Sequence, residues 1–146
     1  MKITHIYVDM DGVLIDFVGA VRRLTGVTPS DYYKGQPEPY RVKDFWKIVR
    51  RYAPDVYAVA PLMGDAMELW SGVNAIASEA GAAVSILTAV PLLQSFPNAP
   101  ADKRASVDRY LGTDVIMELG PYAVDKQLRA TPTSVLIDDT TRNIDH

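Results

Sequence analysis

Asp9-Met10-Asp11-Gly12-Val13 sets two carboxylates one residue apart, directly behind the short apolar run Ile3-Thr4-His5-Ile6-Tyr7-Val8. Crowded like charges repel and raise one another's pKa. A bound divalent cation removes that cost, and hard oxygen ligands suit Mg²⁺. Gly12 lets the backbone turn sharply away from the run. A second acidic pair, Asp138-Asp139, closes another apolar run, Ser134-Val135-Leu136-Ile137. Four acids without cysteine or histidine among them form a hard-oxygen set. Thr88 ends the run Ser85-Ile86-Leu87 with a hydroxyl, and the N–H of Ala89 is a second donor for an anionic oxygen. Lys103 and Lys126 compete for the role of charge-neutralising cation.

These residues meet only if the elements that carry them end at one place. The β-branched and aromatic run at 3–9 predicts a strand. Further strands are predicted at 83–88, 115–117 and 134–138. Ala66, Leu69, Trp70, Val73, Ile76 and Ala80 recur at helical spacing, which predicts a helix over 65–80 closed by Gly81. Asp102 is placed to cap a helix running to about 111, with Gly112 at its end. Pro91, Pro97 and Pro100 mark a loop before it. Strands alternating with helices predict an α/β fold, a Rossmann-like parallel sheet with right-handed crossovers. Such a sheet brings the carboxyl ends of its strands to one edge, where ligands bind.

Residues 17–61 break the rhythm. Helices are expected near 14–25 and 42–52. Gly35, Pro37 and Pro39 read as loop, and Pro54 ends the second helix. The segment holds eight Lys/Arg against four Asp/Glu, whereas the rest of the chain holds seven against fourteen. A cationic lid over a metal-loaded acidic floor favours an anionic ligand; a charged solvated surface explains the same composition. Phe17, Phe45 and Trp46 read equally as core or as a flat wall for a nucleobase. The roles of Tyr32, Tyr33, Tyr40, Arg41 and Lys43 stay open.

The order Asp-x-Asp-Gly, Thr, Lys, Asp-Asp resembles the haloacid dehalogenase superfamily of phosphatases. A closer likeness is to the 5'(3')-deoxyribonucleotidase family within it. Asp9-Met10-Asp11-Gly12-Val13-Leu14 with Asp16-Phe17 resembles that family's first motif, and Phe45-Trp46 the aromatic pair of its cap. Pro61-Leu62-Met63-Gly64-Asp65-Ala66 resembles the re-entry into the core. Asp125-Lys126 and Leu136-Ile137-Asp138-Asp139 resemble the last two motifs.

The resemblance implies a core over 1–16 and 62–146 and a small, mainly helical cap over 17–61. It implies Asp9 as nucleophile, forming an aspartyl-phosphate, and Asp11 as acid and then base. Mg²⁺ would be held by Asp9, by the backbone carbonyl of Asp11 and by the Asp138-Asp139 pair, with Asp139 favoured as the direct ligand. Phosphate would be bound by Thr88, Ala89 and Lys126, the lysine favoured over Lys103. Ala89 stands where these nucleotidases commonly carry serine, so one side-chain donor is missing. The expected substrate is a small phosphorylated molecule, most of all a (deoxy)nucleoside monophosphate. A phosphatase for another metabolite, a phospho-accepting receiver domain and an inactive binding module are the alternatives. Receiver domains carry their adjacent acids on the first strand, whereas here the adjacent pair comes last.

At 146 residues, 48% of them hydrophobic, the chain suits one domain with a small insertion. No run approaches the roughly 20 apolar residues of a membrane span. Absence of cysteine excludes disulfides and thiolate chemistry, and fits a cytoplasmic setting. With only His5 and His146, a histidine-rich metal site is not expected. The acidic balance argues against a nucleic-acid partner. Oligomeric state is not legible.

Overall fold

The computed structural model describes residues 2–33, 40–91, 95–120 and 123–140, with the backbone alone at 32, 33, 40–42 and 123–125. Expectations on Gly35, Pro37, Pro39 and His146, and on the side chains of Tyr32, Tyr33, Tyr40, Arg41 and Asp125, lie outside these residues.

The fold is α/β. Among the described residues it has four strands, β1 (His5–Val8), β2 (Ala83–Ala89), β3 (Met117–Gly120) and β4 (Ser134–Ile137). They form one all-parallel sheet in the order β3-β2-β1-β4. The chain builds outward from β1 through β2 to β3, then returns to the other side of β1 with β4. The strand order therefore reverses beside β1, and in open α/β sheets such a reversal point, at the carboxyl ends, is where ligands bind. Val8 pairs with Ile86 on one side and Ile137 on the other, so Asp9 and Asp138 leave the sheet side by side. Asp9 N–H donates to the Ile137 carbonyl at 2.8 Å.

Helix α5 (Ala66–Ala80) ends at Gly81, whose φ of 64° is left-handed. Ala82 N–H reaches back to the Ala77 carbonyl at 2.8 Å, a common helix stop. The buried stripe is Ala66, Val73 and Ala77, flanked by half-buried Leu69 and Trp70. Ile76, expected on that stripe, is 58% exposed. At 100° per residue, position 77 rather than 76 falls in line with 66, 70 and 73.

Two expected boundaries move. Helix α6 (Ala99–Tyr110) starts three residues before Asp102, with Pro100 in its first turn, where the missing N–H is not needed. Strand β3 begins at Met117 rather than Val115. Val115 instead gives its carbonyl to Arg104 Nη1 at 2.8 Å, and Ile116 is 58% exposed.

Between β1 and α5 the described residues form four helices, α1 (Phe17–Thr25), α2 (Pro29–Tyr33), α3 (Tyr40–Tyr52) and α4 (Val56–Val59). The expected helix near 14–25 begins only at Phe17, because residues 10–15 are used in a turn. Leu14 and Ile15 N–H groups both donate to the Met10 carbonyl, at 2.9 and 2.8 Å. Asp16 then caps α1, accepting from Gly19 N–H at 2.9 Å. The segment leaves and returns through a paired neck. Asp16 N–H donates to the Pro61 carbonyl and Met63 N–H to the Leu14 carbonyl, both at 2.9 Å. Its buried residues, among them Val21, Phe45, Val49 and Tyr57, join Ile6, Val8 and Ile86 in one continuous core. No described helix is long and apolar enough to cross a membrane.

Candidate functional site

The turn after β1 shapes the site floor. Gly12 has φ of 83°, which side chains rarely adopt. A Cβ placed there would collide with the Asp139 carboxylate. The glycine therefore serves twice, in the turn and in letting the second acidic pair approach the first. Gly12→Ala is expected to lower stability by about 1–3 kcal/mol through backbone strain alone, and to push Asp139 outward. Chemical denaturation measures the first effect. Unchanged stability would mean that the turn relaxes to take a side chain.

Asp9 is buried, 6% exposed. Its Oδ1 accepts from Met10 N–H at 2.7 Å, and its Oδ2 pairs with Lys126 Nζ at 2.7 Å. Lys126, 4% exposed, also donates to Asp138 Oδ2 at 2.6 Å. Asp138 Oδ1 accepts from Thr140 N–H at 2.8 Å. Burial pushes the Asp9 carboxyl up to about 6; Lys126 opposes the rise, and Asp138 and Asp11 add to it.

One carboxylate oxygen from each of Asp9, Asp138 and Asp139 lies within 4.8 Å of the others. Among the described residues, three of the four carboxylates thus form one group. Asp11 departs from it because its Oδ2 is drawn to Lys103 Nζ at 2.6 Å. Its Oδ1 is buried with no hydrogen-bond partner among the described residues. Lys103 is fully buried and also donates to Thr88 Oγ1 at 2.8 Å and to the Ala89 carbonyl at 2.6 Å. Among the described residues, four carboxylates thus stand beside two ammonium groups. With all ionised, the excess of two negative charges suits one divalent cation, and the all-oxygen donors suit a hard one such as Mg²⁺.

The two lysines that compete in the sequence are both present, one on each side of the acids. Thr88 is 1% exposed, between Lys103 and the end of β2. His5 lies at the far end of β1 from Asp9, stacked on Tyr7 at 4.1 Å with Nε2 2.9 Å from Ser85 Oγ.

The aromatics gather in one cluster. Phe45 is 1% and Phe17 8% exposed, while Trp46 is half-buried and packs 5.4 Å from Phe96 and 5.8 Å from Phe17. Tyr57, on the short helix α4, is a site neighbour that sequence reading missed. Its ring stacks on Phe17 at 5.2 Å, and Lys103 Nζ sits 4.7 Å from its centre. Burial first and Asp11 second push its hydroxyl well above the ordinary tyrosine range. The only signal for it was an aromatic between Pro54 and Pro61. The cationic excess of residues 17–61 is placed differently from the lysines: Arg22, Arg23, Lys43, Lys47, Arg50 and Arg51 are all exposed. No family model and no curated protein matches the chain.

Proposed function

We propose that the protein is a Mg²⁺-dependent phosphomonoesterase of the haloacid dehalogenase type, acting on a (deoxy)nucleoside monophosphate. The observation that carries this is the convergence of Asp9, Asp138 and Asp139 with Asp11, Thr88 and two buried lysines at one sheet edge. Under this proposal residues 1–16 and 62–146 are a catalytic core and 17–61 a cap, which the paired neck at Asp16 and Pro61 supports.

Asp9, Asp138, Asp139 and the backbone of Asp11 would hold Mg²⁺, which offsets charge on the floor and on the phosphoryl group. An Asp9 carboxylate oxygen attacks phosphorus and the ester P–O bond breaks, leaving an aspartyl-phosphate. Asp11 protonates the departing oxygen, then takes a proton from the water that attacks phosphorus and frees Asp9. Among the described residues Lys126 has two carboxylate partners, which leaves its third N–H for a phosphoryl oxygen. Thr88 Oγ1 and Ala89 N–H are further donors. The cytoplasmic setting expected from composition stays with this proposal.

Nucleotide preference depends on the segment 17–61, since the core residues supply no group that recognises a base. Phosphate release from a panel of nucleotides, sugar phosphates and a small aryl phosphate tests the substrate class. Trp46, the half-exposed member of the aromatic cluster, is expected to matter selectively. Trp46→Ala should lose about 1–3 kcal/mol of base contact, roughly a ten- to hundredfold fall in kcat/KM for a nucleotide. The aryl phosphate should be much less affected. Equal losses on both, in a folded variant, would remove Trp46 as a base contact.

A further inference from the structure

We propose that Lys103 is a positioning residue rather than a phosphate ligand, tying Asp11 to Thr88 and braced by the ring of Tyr57; this rests on Asp11 acting as acid and base in the proposed phosphatase reaction. An ammonium group has three N–H donors. Those of Lys103 are matched by three protein acceptors, Asp11 Oδ2 at 2.6 Å, Thr88 Oγ1 at 2.8 Å and the Ala89 carbonyl at 2.6 Å. Its side chain is 0% exposed. No donor is left for a substrate oxygen. Lys126 differs, with two carboxylate acceptors.

The pattern of acceptors gives the lysine its task. It holds one oxygen of Asp11, Oδ2, at 2.6 Å, and so fixes the orientation of the carboxyl that exchanges the proton. It occupies a lone pair of Thr88 Oγ1. The hydroxyl hydrogen can then leave its long 3.4 Å approach to the Ala89 carbonyl and turn to an incoming anion.

The brace comes from another part of the chain. Tyr57 stands on α4 in the inserted segment, and Lys103 on α6 in the portion after it. A lysine 4.7 Å from a ring centre is within the range of a cation–π contact, strongest when water is excluded. Tyr57 is itself 3% exposed and held by Phe17. The inserted segment thus contributes to the chemical step by fixing a core lysine, separately from any contact with the base.

Steady-state kinetics on one monophosphate with Mg²⁺ test this. Tyr57→Leu should lower kcat about thirtyfold, the equivalent of one desolvated cation–π contact, with KM little changed. Tyr57→Phe keeps the ring and should recover most of kcat. Lys103→Met should lower kcat on the order of a hundredfold, as for a misplaced catalytic group, again with little change in KM. A rise in KM at constant kcat in either the Leu or the Met variant would make Lys103 a substrate ligand and overturn the proposal. So would equal kcat in Tyr57→Leu and wild type. Side-chain NMR gives a readout independent of turnover. The Lys103 ε-methylene protons should be shifted upfield by the Tyr57 ring in wild type and Tyr57→Phe. Ordinary shifts in wild type overturn the brace, whether or not Tyr57→Leu folds. A wild type that releases no phosphate from any monoester sinks the phosphatase proposal, while the NMR shift still decides the brace.

Discussion

Asp9→Asn is expected to abolish phosphate release while making the metal-free protein more stable at neutral pH. The first half follows from chemistry. An amide does not attack phosphorus, and loss of a catalytic nucleophile lowers kcat by about ten-thousandfold or more. The second half follows from burial. In the folded, metal-free protein the Asp9 carboxyl is raised from 3.8 to about 6, chiefly by desolvation. A proton is thus held more tightly folded than unfolded. The stability this gives is complete below about pH 4 and is lost as pH rises through about 6. Ionising Asp9 at neutral pH therefore costs about 3 kcal/mol. Asparagine avoids that cost, and Lys126 keeps Asp138 as its partner at 2.6 Å. Urea denaturation in chelator should show the variant ahead of wild type at pH 7 and level with it near pH 4. Near-wild-type turnover in the pure variant would remove Asp9 as nucleophile. A variant less stable at pH 7 would mean that the ion pair with Lys126 outweighs desolvation.

What the sequence made legible and what it hid divide along a physical line. Asp9, Asp138 and Thr88 directly follow or end apolar runs, so predicting parallel strands sufficed to predict that they would meet. Gly12 was legible as a turn, but its second role was not, because the approach of Asp139 is a contact between residues far apart in the chain. The role of Lys103 is hidden for a similar reason. It lies in the first turns of a helix among Asp102 and Arg104, where a lysine is ordinarily solvated, and nothing local shows that its ammonium group meets β2. Strand β3 was misplaced because Glu118 and Gly120 hide it, while exposed Ile116 imitates it. Helix α4 spans four residues, about one turn, too few for a hydrophobic period to register. Phe45 and Trp46 are neighbours in sequence, yet only the fold shows one closed into the core and the other half open.

Removal of Mg²⁺ is expected to take phosphate release to background, and its return should stabilise the protein more at pH 7.5 than at pH 5. Asp9, Asp138 and Asp139 present oxygens within 4.8 Å of one another, with Lys126 bridging two of them. Among the described residues that lysine alone faces these three acids, and they are under-neutralised once Asp9 ionises. A divalent cation binds the ionised form and so competes with the proton. At pH 5 the carboxyl, raised to about 6, is mostly protonated, and binding must first displace that proton. At pH 7.5 it is ionised and the competition is gone. Saturation at about a hundred times the dissociation constant would add about 2.7 kcal/mol, seen as a higher thermal midpoint. The gain should shrink at pH 5 and should be smaller in Asp9→Asn at either pH. Thermal unfolding with and without Mg²⁺ at the two pH values measures both effects. Full activity in excess chelator would exclude a required metal. An equal Mg²⁺ shift at pH 5 and 7.5, unchanged in Asp9→Asn, would place any bound ion away from Asp9.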